Sequence, residues 1–199
     1  KAALMTSNRT EKGTEFKVIG VAGMPGSGKG EVCRIAGEEG VVVKSLGDAV
    51  RKRFFQLFPD GDPKDIGSFA NIEREKYGED IWARRLAEDI GDQSIVKGDL
   101  ILIDGIRSLH EVSVFKELFG DGFLTLCIHS SPGTRYGRLK DRRRGDDPVD
   151  PTEFAERDRR ELGWGLGDVI AMSDFMLVNE GSLEELEARA RDLLKRLIE

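Results

Sequence analysis

GMPGSGKGEV, residues Gly23–Val32, carries all of the phosphate-loop pattern G-x-x-x-x-G-K-[ST] except its final hydroxyl: Gly30 and Glu31 stand where Ser or Thr is expected. Gly23, Gly26, Gly28 and Gly30 let a backbone turn its amides inward around an anion, because positive φ and close approach cost glycine least. A helix starting there adds the positive end of its dipole, and Lys29 reaches terminal phosphates as a point charge. The plain alternative is an ordinary tight turn. The length of the match and its lysine weigh against that, so Gly23, Met24, Pro25, Gly26, Ser27, Gly28, Lys29, Gly30 and Glu31 are read as one phosphate site.

Upstream, FKVIGVAG (Phe16 to Gly23) is a short apolar run rich in β-branched residues; downstream, Val32, Ile35 and Ala36 fall at helical spacing. The loop therefore joins a strand to a helix. VVVKSL (Val41 to Leu46) reads as a second strand, and the chain from there to Val96 as mostly helical, broken at FPDGDP and near Gly78. DLILIDG (Asp99 to Gly105) and FLTLCIHS (Phe123 to Ser130) are near-continuous apolar runs of the type buried on both faces of a parallel sheet, and DFMLVNE (Asp174 to Glu180) is a fifth strand. Helical patterns cover Leu109 to Phe119, Pro132 to Arg144, Pro151 to Leu162 and Leu183 to Ile198. This alternation predicts an α/β fold, a doubly wound parallel sheet of five strands with helices on both faces. Ligands bind such sheets at the carboxyl ends of the strands, where the loop sits.

The 199 residues suffice for one domain with a full core. Residues 1–15 are expected to be a disordered tail ahead of a domain spanning 16–199. A net charge of -6 argues against a general nucleic-acid or anionic-membrane binder, so any basic site must be local. No run of about eighteen apolar residues suggests a membrane span, and the start lacks the apolar core of a signal peptide. A cytoplasmic protein is the default expectation. Cys33 and Cys127 fall in apolar segments and read as reduced, buried thiols; His110 and His129 have no partner at zinc-ligand spacing.

The ending G-K-G resembles the loop of the adenylate-kinase-like nucleoside monophosphate kinases, which commonly read GxPGSGKG followed by threonine. The resemblance implies a P-loop NTPase fold with a short lid, here roughly residues 135–160, and ATP with Mg2+ as cofactor. In that family the magnesium is held largely through water and by the phosphates, so Gly30 is expected. Glu31 departs from the family's hydroxyl; it reads as a partner of the helix dipole, with contact to metal-bound water as the alternative.

SLGDAVR, Ser45 to Arg51, resembles the family's S-x-G-D-x-x-R segment, which implies that Ser45, Asp48 and Arg51 bind the acceptor monophosphate. Asp48 would also cap the helix that carries Arg51. IDGIRS, Ile103 to Ser108, resembles D-G-[FY]-P-R, one residue shorter and without the proline. By that likeness Asp104 orients metal-bound water and Arg107 holds the acceptor phosphate; capping the next helix is the plain role for Asp104. The densest basic cluster runs from Arg135 to Leu162, and R-x-D-D at Arg144 to Asp147 with Arg157 is similar to the lid-flanking arginines of short-lid kinases. A helix bearing Arg135 and Arg138 would enter the lid, with Arg138 on the nucleotide. Arg142 or Arg144 with Arg157 would close on the transferred phosphoryl group, leaving Lys29, Arg144 and Arg157 as the implied catalytic set. The alternative is a solvated helix with local ion pairs such as Arg138 with Asp141.

The tail from Ser173, an apolar strand, Asn179 and then G-S-L-E-E-L opening a helix, is similar to the end of dephospho-coenzyme A kinases, and its Ser182 with Glu185 reads as a capping box. As a whole the chain looks most like archaeal proteins related to both families. Three functions stand open: an ATP-dependent kinase of nucleoside monophosphates, a kinase of another phosphorylated acceptor with dephospho-coenzyme A first, and an ATPase or nucleotide switch with a macromolecular partner. Trp82, Trp164 and Tyr136 are the candidates for a base stack, against the commoner role of such rings in packing.

Overall fold

The computed structural model describes residues 17–91, 100–142 and 147–198. The expected tail, Arg144 and the residues around it lie outside these.

Five strands, β1 (Lys17–Ala22), β2 (Val42–Ser45), β3 (Leu100–Asp104), β4 (Phe123–His129) and β5 (Phe175–Val178), form one parallel sheet in the order β2-β3-β1-β4-β5. Strand β1, whose end feeds the glycine-rich loop, is therefore central. Alternation along it sends Val18 and Ala22 to one face and Ile19 and Val21 to the other, both fully buried. Gly20 is kept small by its neighbours, since a Cβ there would lie 2.8 Å from the Phe123 ring and 3.0 Å from Ile106.

Helices cover both faces. On one, α1 (Lys29–Glu38) and α9 (Leu183–Ile198) pack Val32, Ile35, Leu186, Ala190 and Leu194 against Ile19, Leu102, Leu126 and Ile128. On the other, α2 (Leu46–Leu57), α3 (Ile66–Tyr77), α4 (Ile81–Gly91), α5 (Leu109–Phe119) and α8 (Leu166–Ala171) enclose a core that includes Phe54, Phe69, Trp82 and Phe115. Each fully buried Leu, Ile or Phe in these layers contributes about 1.5–3 kcal/mol of transfer free energy. Helices α6 (Pro132–Arg142) and α7 (Pro151–Gly163) flank the carboxyl edge of the sheet.

The expected five-stranded, two-faced α/β architecture is present. The short helix α8 was not expected; it is a single apolar pair, Leu166 and Val169, behind a left-handed Gly165, too brief for periodicity to find. Two caps differ from expectation. Ser45 rather than Asp48 caps α2, accepting from the Asp48 amide at 3.3 Å, and Ser108 rather than Asp104 caps α5. In both cases the hydroxyl sits three residues before the amide it satisfies. Trp82 lies in the core with its Nε1 donating to the Ala70 carbonyl at 3.3 Å, so it is no base-stacking ring.

Candidate active site at the carboxyl end of the sheet

The loop after β1 takes left-handed or extended-positive backbone at Gly23 (φ 148), Gly26 (φ 81) and Gly28 (φ 104). Crowding adds a second requirement, since a Cβ on Gly23 would meet the Ile128 carbonyl at 2.3 Å and one on Gly28 the Asn179 amide at 2.5 Å. Gly30 is different: nothing lies within 4 Å of a Cβ there, so steric conflict is not what excludes a hydroxyl.

Lys29 is half-buried and donates to the carbonyls of Gly23 and, at 3.3 Å, Met24. Burial lowers its pKa below that of an ordinary lysine, opposed first by the charge of Asp104. Asp104, at the end of β3 beside Val21 of β1 and Ser45 of β2, has a buried Oδ1 with no hydrogen-bond partner among the described residues. Ser27 likewise keeps its buried Oγ unpaired. Such atoms are costly unless a ligand or water completes them.

A cleft of about 610 Å³ opens over the loop and is lined by Gly23, Pro25, Gly26, Gly28, Lys29, Gly30, Glu31, Asp104, Arg107, Arg138 and Arg157, together with Arg34, Arg142 and Glu161. Glu31 accepts from Arg34 Nε at 2.7 Å, and Arg34 also donates to Glu38 and Glu187. Arg107 donates through Nε to Glu161 at 3.2 Å, and its Nη nitrogens have no hydrogen-bond partner among the described residues. Arg157 and Arg142 both face Asp147, at 3.6 Å from Arg157 Nη1 and 2.9 Å from Arg142 Nε.

Other expected residues fall elsewhere. Met24 packs in the core and reaches the site only through its carbonyl. Ser45 and Asp48 line a separate, smaller cavity beside Lys52 and Asp89, and Arg51 is bonded to Asp48 at the surface. Arg135 stands outside the cleft lining. It is buried in a bidentate pair with Asp158 at 2.8 and 2.6 Å, and also donates to the Pro25 and Ser130 carbonyls at 3.2 Å, so it braces the loop. Arg138 pairs with the end of β5 instead of Asp141, donating to Ser130 Oγ at 3.0 Å, Asn179 O at 3.1 Å and Asn179 Oδ1 at 3.2 Å. Tyr136 packs on Phe154.

Asn179, which the tail pattern contains without giving it a role, and Ser130, which no motif contains, hold the loop from behind. Asn179 Nδ2 donates to the Ser27 carbonyl at 2.8 Å, and Ser130 Oγ lies 3.3 Å from the same oxygen. Their one signal is position, each standing just past the carboxyl end of a strand. Burial pushes the Cys33 thiol up to about 12 and that of Cys127 to about 11, so both remain neutral free thiols; Cys33 is half-buried rather than buried. No group of three or more His, Cys, Asp or Glu able to hold a metal occurs among the described residues, and no helix among them is long and apolar enough to cross a membrane.

Residues 19–161 match the family model described as an AAA domain. A UPF0200 protein of Hyperthermus butylicus is 44% identical over 187 residues, 93% of this chain and 97% of that one. The chain belongs to the UPF0200 family and carries an AAA domain. Another UPF0200 protein, from Methanothermobacter thermautotrophicus, is 43% identical over 182 residues, 92% of this chain and 91% of its own length. Among solved structures, a shikimate kinase from Acinetobacter baumannii matches with a TM-score of 0.55 at 15% identity, covering 91% of this chain and 94% of that one. A gluconokinase from Sinorhizobium meliloti matches with a TM-score of 0.56 at 19% identity, covering 92% and 93%. At those identities the likeness speaks for the fold alone: this UPF0200 chain has the P-loop kinase-like architecture.

Proposed function

We propose that the chain is an ATP-dependent phosphotransferase that moves the γ-phosphoryl group to a nucleoside monophosphate or a similarly phosphorylated small acceptor. The observation that carries this reading is one cleft lined by cations from different elements, Lys29 on the loop and Arg107 after β3 among them, with the Nη nitrogens of Arg107 lacking a hydrogen-bond partner among the described residues. A nucleotide switch needs one anion site; a second leaves room for an acceptor.

In this reading the loop amides, Lys29 and Arg138 bind the ATP phosphates, and Arg157, with Arg142 or Arg144, closes over them. Such donors stabilise charge spread over the transferring oxygens without covalent chemistry. Asp104 fits a magnesium ion, because its buried, unpaired oxygen is a hard donor of the kind Mg2+ accepts singly, taking the rest from phosphates and water. Bound there, the ion would neutralise phosphate charge. Glu31, engaged by Arg34, serves α1 rather than the metal. Ser45, Asp48 and Arg51 would reach the acceptor only if α2 moved toward the cleft. A hydroxyl acceptor such as dephospho-coenzyme A is the second reading, supported by Glu161, a cleft carboxylate that could take a hydroxyl proton which a phosphate acceptor does not need giving up.

The test is product formation from ATP and Mg2+ with AMP, CMP, UMP or dephospho-coenzyme A, followed by chromatography. At least one acceptor should be phosphorylated, and Lys29→Ala should slow that transfer by about a hundredfold or more. ATP hydrolysis indifferent to every acceptor would instead mark an ATPase or switch.

A further inference from the structure

Beside the cleft, three guanidinium groups converge on one indole. Arg74 of α3, Arg107 of the turn after β3 and Arg160 of α7 place their Cζ atoms 5.4, 5.6 and 5.8 Å from the Trp164 ring centroid. Arg74 is the unusual member, since its side chain is only 8% exposed and faces a still more deeply buried carboxylate, Glu111, at 1%. Arg74 Nη2 lies 3.9 Å from Glu111 Oε1, and Arg74 Nη1 donates to Asn71 Oδ1 at 3.3 Å. The other carboxylate oxygen, Glu111 Oε2, accepts from the Arg107 backbone amide at 2.7 Å. Ser108 Oγ accepts in turn from the Glu111 amide at 3.3 Å. The turn that presents Arg107 is thus clamped by one buried carboxylate.

That carboxylate is held in an unfavourable place. Burial raises the Glu111 pKa above the ordinary carboxyl range, opposed by the Arg107 amide and then by the charge of Arg74. Neither Arg74 nor Glu111 lines the cleft. Buried ion pairs are poor stabilisers against an apolar alternative, because desolvating both charges offsets their attraction, so stability alone is a weak account of this pair.

We propose that Arg74 and Glu111 are positioning residues for Arg107, and through it for the anionic group of the acceptor. The inference rests on the reading above that Arg107 meets the acceptor. Arg74 holds the Glu111 carboxyl group in place; Glu111 fixes the amide of Arg107; and the Arg107 guanidinium is then confined between Glu161 and the Trp164 ring with its Nη nitrogens left for the ligand. Helix α3 and the turn after β3 are in this way one unit.

The test is a double-mutant cycle with AMP, CMP and dephospho-coenzyme A as probes, their affinities and that of ATP measured by calorimetry. Arg74→Met should weaken the bound acceptor by about tenfold while ATP affinity stays within about twofold, and Arg74→Lys should recover most of the loss. Arg74→Met combined with Arg107→Ala should be no worse than Arg107→Ala alone, because the first acts through the second. Multiplying effects, equal weakening of ATP and acceptor, or a fall in Tm without change in affinity would overturn the inference. Should Arg74→Met fail to fold, Glu111→Gln in the same cycle carries the same expectation. An Arg107→Ala variant with unchanged acceptor affinity, or a wild-type chain that binds no probe, would overturn the acceptor reading and this inference together; an effect at Arg107 with none at Arg74 or Glu111 removes the inference only.

Discussion

Lys29 directs its ammonium group to carbonyls of its own loop, and Asp104 keeps a buried oxygen without a partner. On the proposed function a polyphosphate would draw the first group and a cation would meet the second. Glu31, the residue that replaces the usual hydroxyl, is already engaged by Arg34. A clear division follows for the two carboxylates. Asp104→Asn should raise the magnesium concentration needed for half-maximal turnover by about tenfold or more, the scale of a lost charged contact, whereas Glu31→Gln should move it little. Activity measured across a magnesium series at fixed ATP decides this. A large shift for Glu31→Gln would place that carboxylate at the metal in the role of the absent hydroxyl, which the open space at Gly30 does not prevent.

At the scale of elements, the loop between β1 and α1 is braced by α6 and the end of β5. Arg135 of α6 grips the Pro25 carbonyl while paired to Asp158 of α7, and Asn179 grips the Ser27 carbonyl while receiving Arg138. Asn179→Ala should therefore destabilise the fold by about 1–3 kcal/mol, the cost of leaving buried partners unsatisfied, and also weaken ATP binding. Ser182→Ala, which removes the hydroxyl that caps α9 at the Glu185 amide, should cost about 1 kcal/mol and leave ATP binding unchanged. Thermal melts with and without ATP separate the two; equal ligand-induced shifts in both variants would refute the bracing role. The strands and long helices were legible because their apolar period is strong, and the loop because its glycines and lysine form a contiguous signature. The brace was not, because it joins residues far apart in sequence, and neither an asparagine nor a serine after a strand announces a partner. Within the basic cluster the roles were not separable for the same reason: Arg135 reads like Arg138 in sequence, yet one is sealed against Asp158 and the other lines the cleft.

For the whole molecule, the strand order matters most. The first strand pairs with β3 on one side and β4 on the other, and the loop that follows it is tied by Asn179 to a point 152 residues onward. Sequence alternation announced a parallel sheet of five strands but not which neighbours β1 would take, since nearly interchangeable runs of Val, Ile and Leu carry no address. Contacts of such long range form slowly, because the intervening chain must close first. During synthesis, then, the loop is made before the parts that secure it: the ribosome releases it long before its sheet neighbours exist, and before the asparagine that holds it has been added. Ribosome-bound chains of increasing length should stay on immobilised ATP only once α9 has cleared the exit tunnel, and retention of chains ending soon after β4 would show that the loop matures without its brace. A nascent chain of this fold thus carries an incomplete loop until Asn179 has emerged, and on the proposed function its competence for ATP arrives only then.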